Sequence, residues 1–212
     1  MCGVVIAMAE IKFPIQIQLF ALVSLTGDGS KIYVWFYDIL FGELQCAWRI
    51  IMIREMTKTD FELFWPTFAV VIQAQQTYAF NPDMTFEQAY DLWCKTPIKA
   101  FVYVDNDVVL GTYYIKANAM GPSGHICNCG YMVSSEARGK GIARLMCEHS
   151  QQTAIALGFE AMQFNSVVST NDVAVRLWQK LGFGIVGTIP NAYKHAELGL
   201  VDSYVMYKWL KA

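Results

Sequence analysis

The residues with the clearest chemical potential lie in one run, Tyr131-Met132-Val133-Ser134-Ser135-Glu136-Ala137-Arg138-Gly139-Lys140-Gly141-Ile142-Ala143. Tyr131 to Val133 is apolar and reads as a strand. Ser134 to Lys140 is polar, and from Ile142 the helical spacing picks out Leu145, Met146 and His149. A strand that turns through glycines into a helix points free backbone N–H groups, and the positive end of the helix dipole, at one spot. Gly139 and Gly141 let a ligand approach the main chain, and Arg138, Lys140 and Arg144 surround it with positive charge. The chemistry this implies is capture of an anion by main-chain amides, with a pyrophosphate as the expected guest.

Other glycine-rich loops fit less well. A Walker A loop needs Gly-Lys followed by Ser or Thr, and here Gly141 follows Lys140. A dinucleotide fingerprint places a third glycine where this chain has Arg144. A plain turn with solvated charges is the remaining alternative. Against it stands the order of elements downstream: a strand from Glu160 to Val168, then Asn171-Asp172-Val173-Ala174 opening a helix that ends at Leu181-Gly182-Phe183, then a last pair of strands.

With Arg138, Gly141 and Ala143 in the pattern Arg-x-x-Gly-x-Ala after a strand ending at Val133, residues 52 to 212 resemble the GNAT superfamily of N-acetyltransferases. The resemblance implies an α/β domain whose mixed, mostly antiparallel sheet is splayed in the middle, with helices on both faces. It implies acetyl-CoA as acyl donor. Its diphosphate would lie on Arg138, Gly139, Lys140, Gly141, Ile142 and Ala143, and its pantetheine arm along the main chain of Met132 and Val133. Asn171 matches the family's cofactor-bonding asparagine, and it also suits a helix N-cap; both can hold at once. Two features depart from the family. The tyrosine that many members use to protonate the thiolate is replaced by Trp178, whose indole N–H is no acid at neutral pH. No carboxylate lies between His125 and Val133, where many members carry a glutamate base and this chain has Gly130. Proton transfer is therefore expected to pass through water or another residue, or to matter less than positioning.

The stretches around Asn128 and Asn165, with Leu177-Trp178, Leu181-Gly182-Phe183, Gly187-Thr188-Ile189-Pro190 and Tyr204, are similar to the azetidine-2-carboxylate (proline-analogue) N-acetyltransferases of fungi and their bacterial relatives. That likeness implies Asn128 and Asn165 as the catalytic, substrate-orienting pair, acting on the amine of an amino acid or analogue. The alternative is that both satisfy backbone where the sheet splits. Tyr78 and Phe80 are expected to wall the acceptor pocket or to pack in the core. His195 is placed in a polar loop from Asn191 to Gly199, overhanging the acceptor or lying on the surface. His149 reads as structural, His125 as a strand-starting residue, and Asp202 as a turn carboxylate at the start of the last strand. Direct transfer is expected because no nucleophile paired with a base is evident. Acceptors other than small molecules, namely peptides, and a non-catalytic acyl-CoA-binding role are the rival readings.

The positioning elements follow from periodicity. The sequence predicts a strand at Ile51 to Arg54, a helix from Asp60 to Gln76 with Pro66 near its start, and a helix opened by the capping box Thr85-Phe86-Glu87-Gln88 and stopped by Pro97. It predicts strands at Ala100 to Val104 and Val108 to Lys116 flanking a turn at Asp105-Asn106-Asp107, and a strand from His125 to Val133. The 212 residues suffice for one domain with a sizeable core, and the net charge of −2 favours neither nucleic acid nor an anionic membrane. Six cysteines without a Cys-x-x-Cys pair suggest reduced thiols in the cytoplasm and no metal site. Residues 1–51 read as an appended segment, either a start assigned too early or a hairpin turning at Gly27-Asp28-Gly29-Ser30; no stretch there reaches the ~18 apolar residues of a membrane span. A homodimer is expected from the resemblance alone.

Overall fold

A computed structural model describes residues 10–12, 18–26, 29–40, 43–47 and 51–211. The four segments before Ile51 are strands β1 (Glu10–Lys12), β2 (Gln18–Thr26), β3 (Gly29–Leu40) and β4 (Glu43–Ala47), paired in sequence order as an antiparallel meander. Thr26 pairs with Gly29, which fits the expected hairpin, although the turn residues Gly27 and Asp28 lie outside the described residues.

The rest forms a seven-stranded sheet. Its strands are β5 (Ile51–Glu55), β6 (Lys99–Asp105), β7 (Val108–Ala117), β8 (Ile126–Val133), β9 (Ala161–Val168), β10 (Gly184–His195) and β11 (Gly199–Trp209), in the order β10-β11-β9-β8-β7-β6-β5. Every neighbouring pair is antiparallel except β8 and β9. The β6–β7 hairpin turns at Asn106 and Asp107, both at positive φ, as a two-residue loop requires.

Among the described residues four α-helices cover the sheet: α1 (Lys58–Gln73), α2 (Phe86–Tyr90), α3 (Ile142–Ala156) and α4 (Asp172–Lys180). α1 starts at a capping box in which the Thr57 hydroxyl accepts from the Asp60 N–H and the Asp60 carboxylate accepts from the Thr57 N–H. Its Phe61, Phe64, Phe68 and Ile72 recur at helical spacing, are fully buried, and pack with Trp93 and Met132 on one face of the sheet. α3 and α4 cover the other face, where Met146, Cys147, Val175 and Trp178 join Tyr113, Cys129 and Phe164.

Three expectations need correcting. Pro66 is not near the start of α1 but at its ninth residue. The carbonyl it leaves without a donor is that of Glu62, and both residues face solvent, so water satisfies it. The helix opened by Thr85 and Gln88 is short, and passes into a π-helical turn at Asp91–Lys95 that buries Trp93. The region 191–199 is not a polar loop: β10 continues to His195, and only residues 196–198 form the turn. A shift of register between Ile189 and Tyr193, with Asn191 at φ 55°, re-aims the strand without ending it, so Tyr193 and His195 both point inward. Asp202 accordingly lies inside β11, accepting the Asn191 N–H at 2.9 Å.

Candidate functional site

The sheet opens between β8 and β9. Their parallel pairing is confined to Ile126 with Ala161 and Cys127 with Met162, after which both strands run on unpaired to Val133 and Val168. Backbone groups alternate sides along a strand. Asn118 donates to the Ile126 carbonyl and Ser134 to that of Leu110, so the even-numbered residues of β8 face β7 and the odd-numbered ones face the opening. The edge thus presents main chain at Cys129, Tyr131 and Val133, whereas that of Met132 is turned to Thr112 and its side chain is buried against α1. The Tyr131 carbonyl is occupied: the Tyr78 hydroxyl donates to it at 2.7 Å.

β8 delivers the chain to the anion loop. A short 3-10 turn at Ser135–Ala137 precedes Gly139 and Gly141, both at φ 77°. Gly141 is the N-cap of α3 and has no side chain to cap it, and helix geometry leaves the N–H groups of Ile142 and Ala143 without acceptors inside the helix. A Cβ at Gly139 or Gly141 would meet nothing within 4 Å, so the space over both is open. Arg138 and Lys140 are exposed and in no ion pair among the described residues, whereas Arg144 is held by Glu148 at 2.8 Å. Ser134, at the junction of β8 and the loop, is 7% exposed, and its Oγ has no hydrogen-bond partner. Open glycines, unpaired N–H groups, two free cations and an orphaned hydroxyl fit a diphosphate.

Below the fork, a line of amides crosses from β8 to β9. Asn128, 6% exposed, accepts the Tyr114 hydroxyl on Oδ1 at 3.1 Å and donates from Nδ2 to the Gln163 carbonyl at 2.9 Å. That carbonyl is the first one past the last β8–β9 pair, so Asn128 satisfies backbone where the sheet splits. Gln163 Nε2 donates to Asn165 Oδ1 at 2.9 Å, and Asn165 Nδ2 to Asn118 Oδ1 at 2.7 Å. Each asparagine keeps one N–H and one lone pair for a further partner.

Sequence reasoning missed Tyr114. It lies opposite Gly130 across β7 and β8, and a Cβ on Gly130 would sit 2.6 Å from its ring. The glycine where a family glutamate was sought is thus the seat of a phenol. Burial pushes the Tyr114 hydroxyl up to about 12, so it stays protonated and donates. The signal was the pairing register, which a single sequence does not display.

Tyr78 and Phe80 are part of the aromatic cluster under α1, stacked at 5.1 Å, with Tyr78 also edge-on to Trp93. His195 is 8% exposed, and its Nδ1 accepts the N–H groups of Glu197 and Leu198. The turn it braces is docked on the α1–α2 connection: Ala196 donates to the Gln75 carbonyl, Gln76 to Glu197, and the Tyr193 hydroxyl to the Tyr78 carbonyl. Asn171 caps α4, accepting the Ala174 N–H at 3.3 Å. Trp178 is packed at 5.0 Å from Tyr131 and 5.1 Å from Phe164, in the core. His149 meets the Tyr113 hydroxyl at 2.6 Å, and His125 is exposed beside the Pro122 carbonyl. Cys127, Cys129 and Cys147 are free and buried on the α3 side; burial pushes Cys129 well above the usual thiol range and Cys147 up to about 11. Among the described residues no group of His, Cys, Asp and Glu is arranged to hold a metal ion.

Residues 59–183 match the sequence profile described as Acetyltransferase (GNAT) family. A Schizosaccharomyces pombe protein named N-acetyltransferase aca1 is 33% identical over 151 residues, spanning 63% of this chain and 72% of that protein. The structure of a GCN5-related N-acetyltransferase from Kribbella flavida is 39% identical with a TM-score of 0.71, covering 75% of this chain and 97% of that one. A Salmonella typhimurium putative acetyltransferase solved with its cofactor acetyl-CoA shares the fold at 18% identity and a TM-score of 0.65, over 76% of this chain and 95% of that one.

Proposed function

The chain belongs to the acetyltransferase (GNAT) family and is an acetyl-CoA-dependent N-acetyltransferase, and from that premise we propose that its acceptor is the amine of a small molecule, an amino acid or an analogue of one. The observation that carries this reading is Asn128, an uncharged amide fixed at the fork by Tyr114 and Gln163 with one lone pair and one N–H to spare. A neutral acceptor there can take an N–H of the attacking amine without forming the salt bridge that would keep it protonated. Asn165, tied to the same line of amides, is the second orienting group, and the two asparagines support placing the chain beside the azetidine-2-carboxylate N-acetyltransferases. Tyr78, Phe80 and His195 form the wall of the pocket on this reading. The hairpin turn docked on Gln75 and Gln76 closes that side against a long peptide.

For the donor, Arg138 to Ala143 hold the diphosphate through Gly139, Lys140, Gly141 and Ile142, and Asn171, its Oδ1 held by the Ala174 N–H, donates from Nδ2 to the arm. Val133 is the nearer main-chain partner of the arm, and Met132 anchors the strand that carries it. Acetyl-CoA supplies an activated thioester, and the unpaired N–H groups along β8 lie where its carbonyl oxygen would gain charge. Transfer is direct: among the described residues no buried thiol is paired with a base, and burial keeps Cys129 and Cys147 protonated. The proton of the amine leaves through water, and the thiolate departs unassisted because Trp178 is core. We further place the protein in the cytoplasm, on its free cysteines; among the described residues no helix is long and apolar enough to cross a membrane. The homodimer carried by the resemblance would sediment at twice the 23.9 kDa chain mass.

Following thiol release from acetyl-CoA with a panel of amines tests the reading. Release with free amino acids is the expected result. Release only with peptides overturns the acceptor class, and tight acetyl-CoA binding without release on any amine overturns the reading as a whole.

A further inference from the structure

β7, β8 and β9 contain one charged residue among them, Lys116. It is the cross-strand partner of Asn128. It shares the face of β7 with Tyr114, and its Nζ stands 5.4 Å from the centre of that ring. Lys116 is partly buried and, among the described residues, takes part in no ion pair. Around it the face offers neutral groups: the Tyr114 phenol and the amides of Asn128, Gln163, Asn165 and, just past β7, Asn118. A lone cation on an otherwise neutral face attracts an anion, and a ring at this distance satisfies it only in part. An anion bound beside Asn128 would meet that charge directly.

We propose that Lys116 binds the carboxylate of the acceptor, so that the substrate class is the free amino acid, held at two points. The carboxylate meets Lys116 Nζ while the nitrogen meets the spare valences of Asn128. Both groups stand at the Tyr114 ring, Lys116 Nζ 5.4 Å from its centre and Asn128 Oδ1 3.1 Å from its hydroxyl, so one small acceptor beside that ring can meet both. The inference rests on the acceptor reading above and deepens it. It also separates acceptor from donor electrostatics, because Arg138 and Lys140 serve the far end of the fork. A lysine that merely lay along the Tyr114 ring would have no reason to discriminate an acid from its ester.

Steady-state thiol release with a cyclic secondary amino acid, its methyl ester and the carboxylate-free amine tests this in the parent, Lys116→Met and Lys116→Arg. The parent is expected to favour the acid over the ester. In Lys116→Met the acid-to-ester ratio of kcat/KM falls about ten- to a hundredfold, the size of one charge-assisted hydrogen bond, chiefly through KM for the acid. Lys116→Arg restores most of it. Acetyl-CoA binding measured by calorimetry should be the same in all three, since Lys116 lies away from the diphosphate loop. An unchanged ratio in Lys116→Met, or no preference for the acid in the parent, overturns this proposal alone. Absence of thiol release with every amine overturns it together with the reading on which it rests.

Discussion

Gly130 and Tyr114 form a pair in which the smaller residue exists for the larger. Gly130→Ala would push a methyl to 2.6 Å from the ring, so the ring must move and take its hydroxyl off Asn128. Urea denaturation should report a loss of about 1–3 kcal/mol, the usual penalty of overpacking. Tyr114→Phe keeps the ring and removes only the donor; kcat/KM for amino acids should drop about tenfold as Asn128 loses its brace, with KM for acetyl-CoA unmoved. Parent-like kinetics in Tyr114→Phe would remove Tyr114 from the site. His149 makes a third prediction at this scale. Burial lowers it from 6.5 to about 4, so the folded protein keeps it neutral while the unfolded chain takes up a proton. Its contribution is complete above pH 6.5 and is lost as pH falls toward 4, a change on the order of 2 kcal/mol after allowing for partial exposure. His149→Gln should flatten that part of the stability profile. The residues were unevenly legible: Asn128 and Asn165 stood out as amides on strands, but Tyr114 and Lys116 acquire meaning only from the strand opposite.

At the scale of elements, helix termini carry the most. Gly141 is both the left-handed N-cap of α3 and a wall of the anion loop. Gly141→Asp would put a charge and a strained side chain where we propose the diphosphate binds, and calorimetry should show at least a hundredfold weaker acetyl-CoA binding, more than the ~1 kcal/mol of backbone strain could explain. Parent-like affinity would remove the loop from the cofactor site. The start of α1 is a structural counterpart. Burial works against the charge on Asp60, but hydrogen bonds from Arg54, at 2.5 and 2.8 Å, and from Thr57 outweigh it and hold the carboxyl below its usual range. Asp60→Asn would break the cap and leave Arg54 without its partner, costing about 2–4 kcal/mol in thermal or urea unfolding with little effect on KM. Apolar periodicity gave α1 and α3 away in the sequence, and a capping box gave away α2, whereas the Thr57–Asp60 box of α1 went unread. The extension of β10 through residues 191–195 was hidden, because a bulge with a non-glycine residue at positive φ reads as a loop when only composition is visible.

For the whole molecule, the seven-stranded sheet starts at Ile51, which is buried and paired with Asp105, one residue before the boundary drawn from sequence. A chain shortened to residues 51–212 should therefore keep cooperative unfolding and thiol release, and loss of both would make the preceding strands part of the enzyme. Sequence alone determined the order of strands and helices in the seven-stranded sheet, the glycine turn that opens α3 and the absence of a carboxylate from the strand before it. Those are local properties, written in spacing and in the backbone preferences of glycine, asparagine and proline. The tertiary structure alone decided where β8 and β9 part, which main-chain groups of β8 face the opening, and that Tyr114 and Lys116 flank Asn128. These depend on strand register and on side chains far apart in the chain meeting on one face, and a one-residue slip would exchange every one of them for its neighbour.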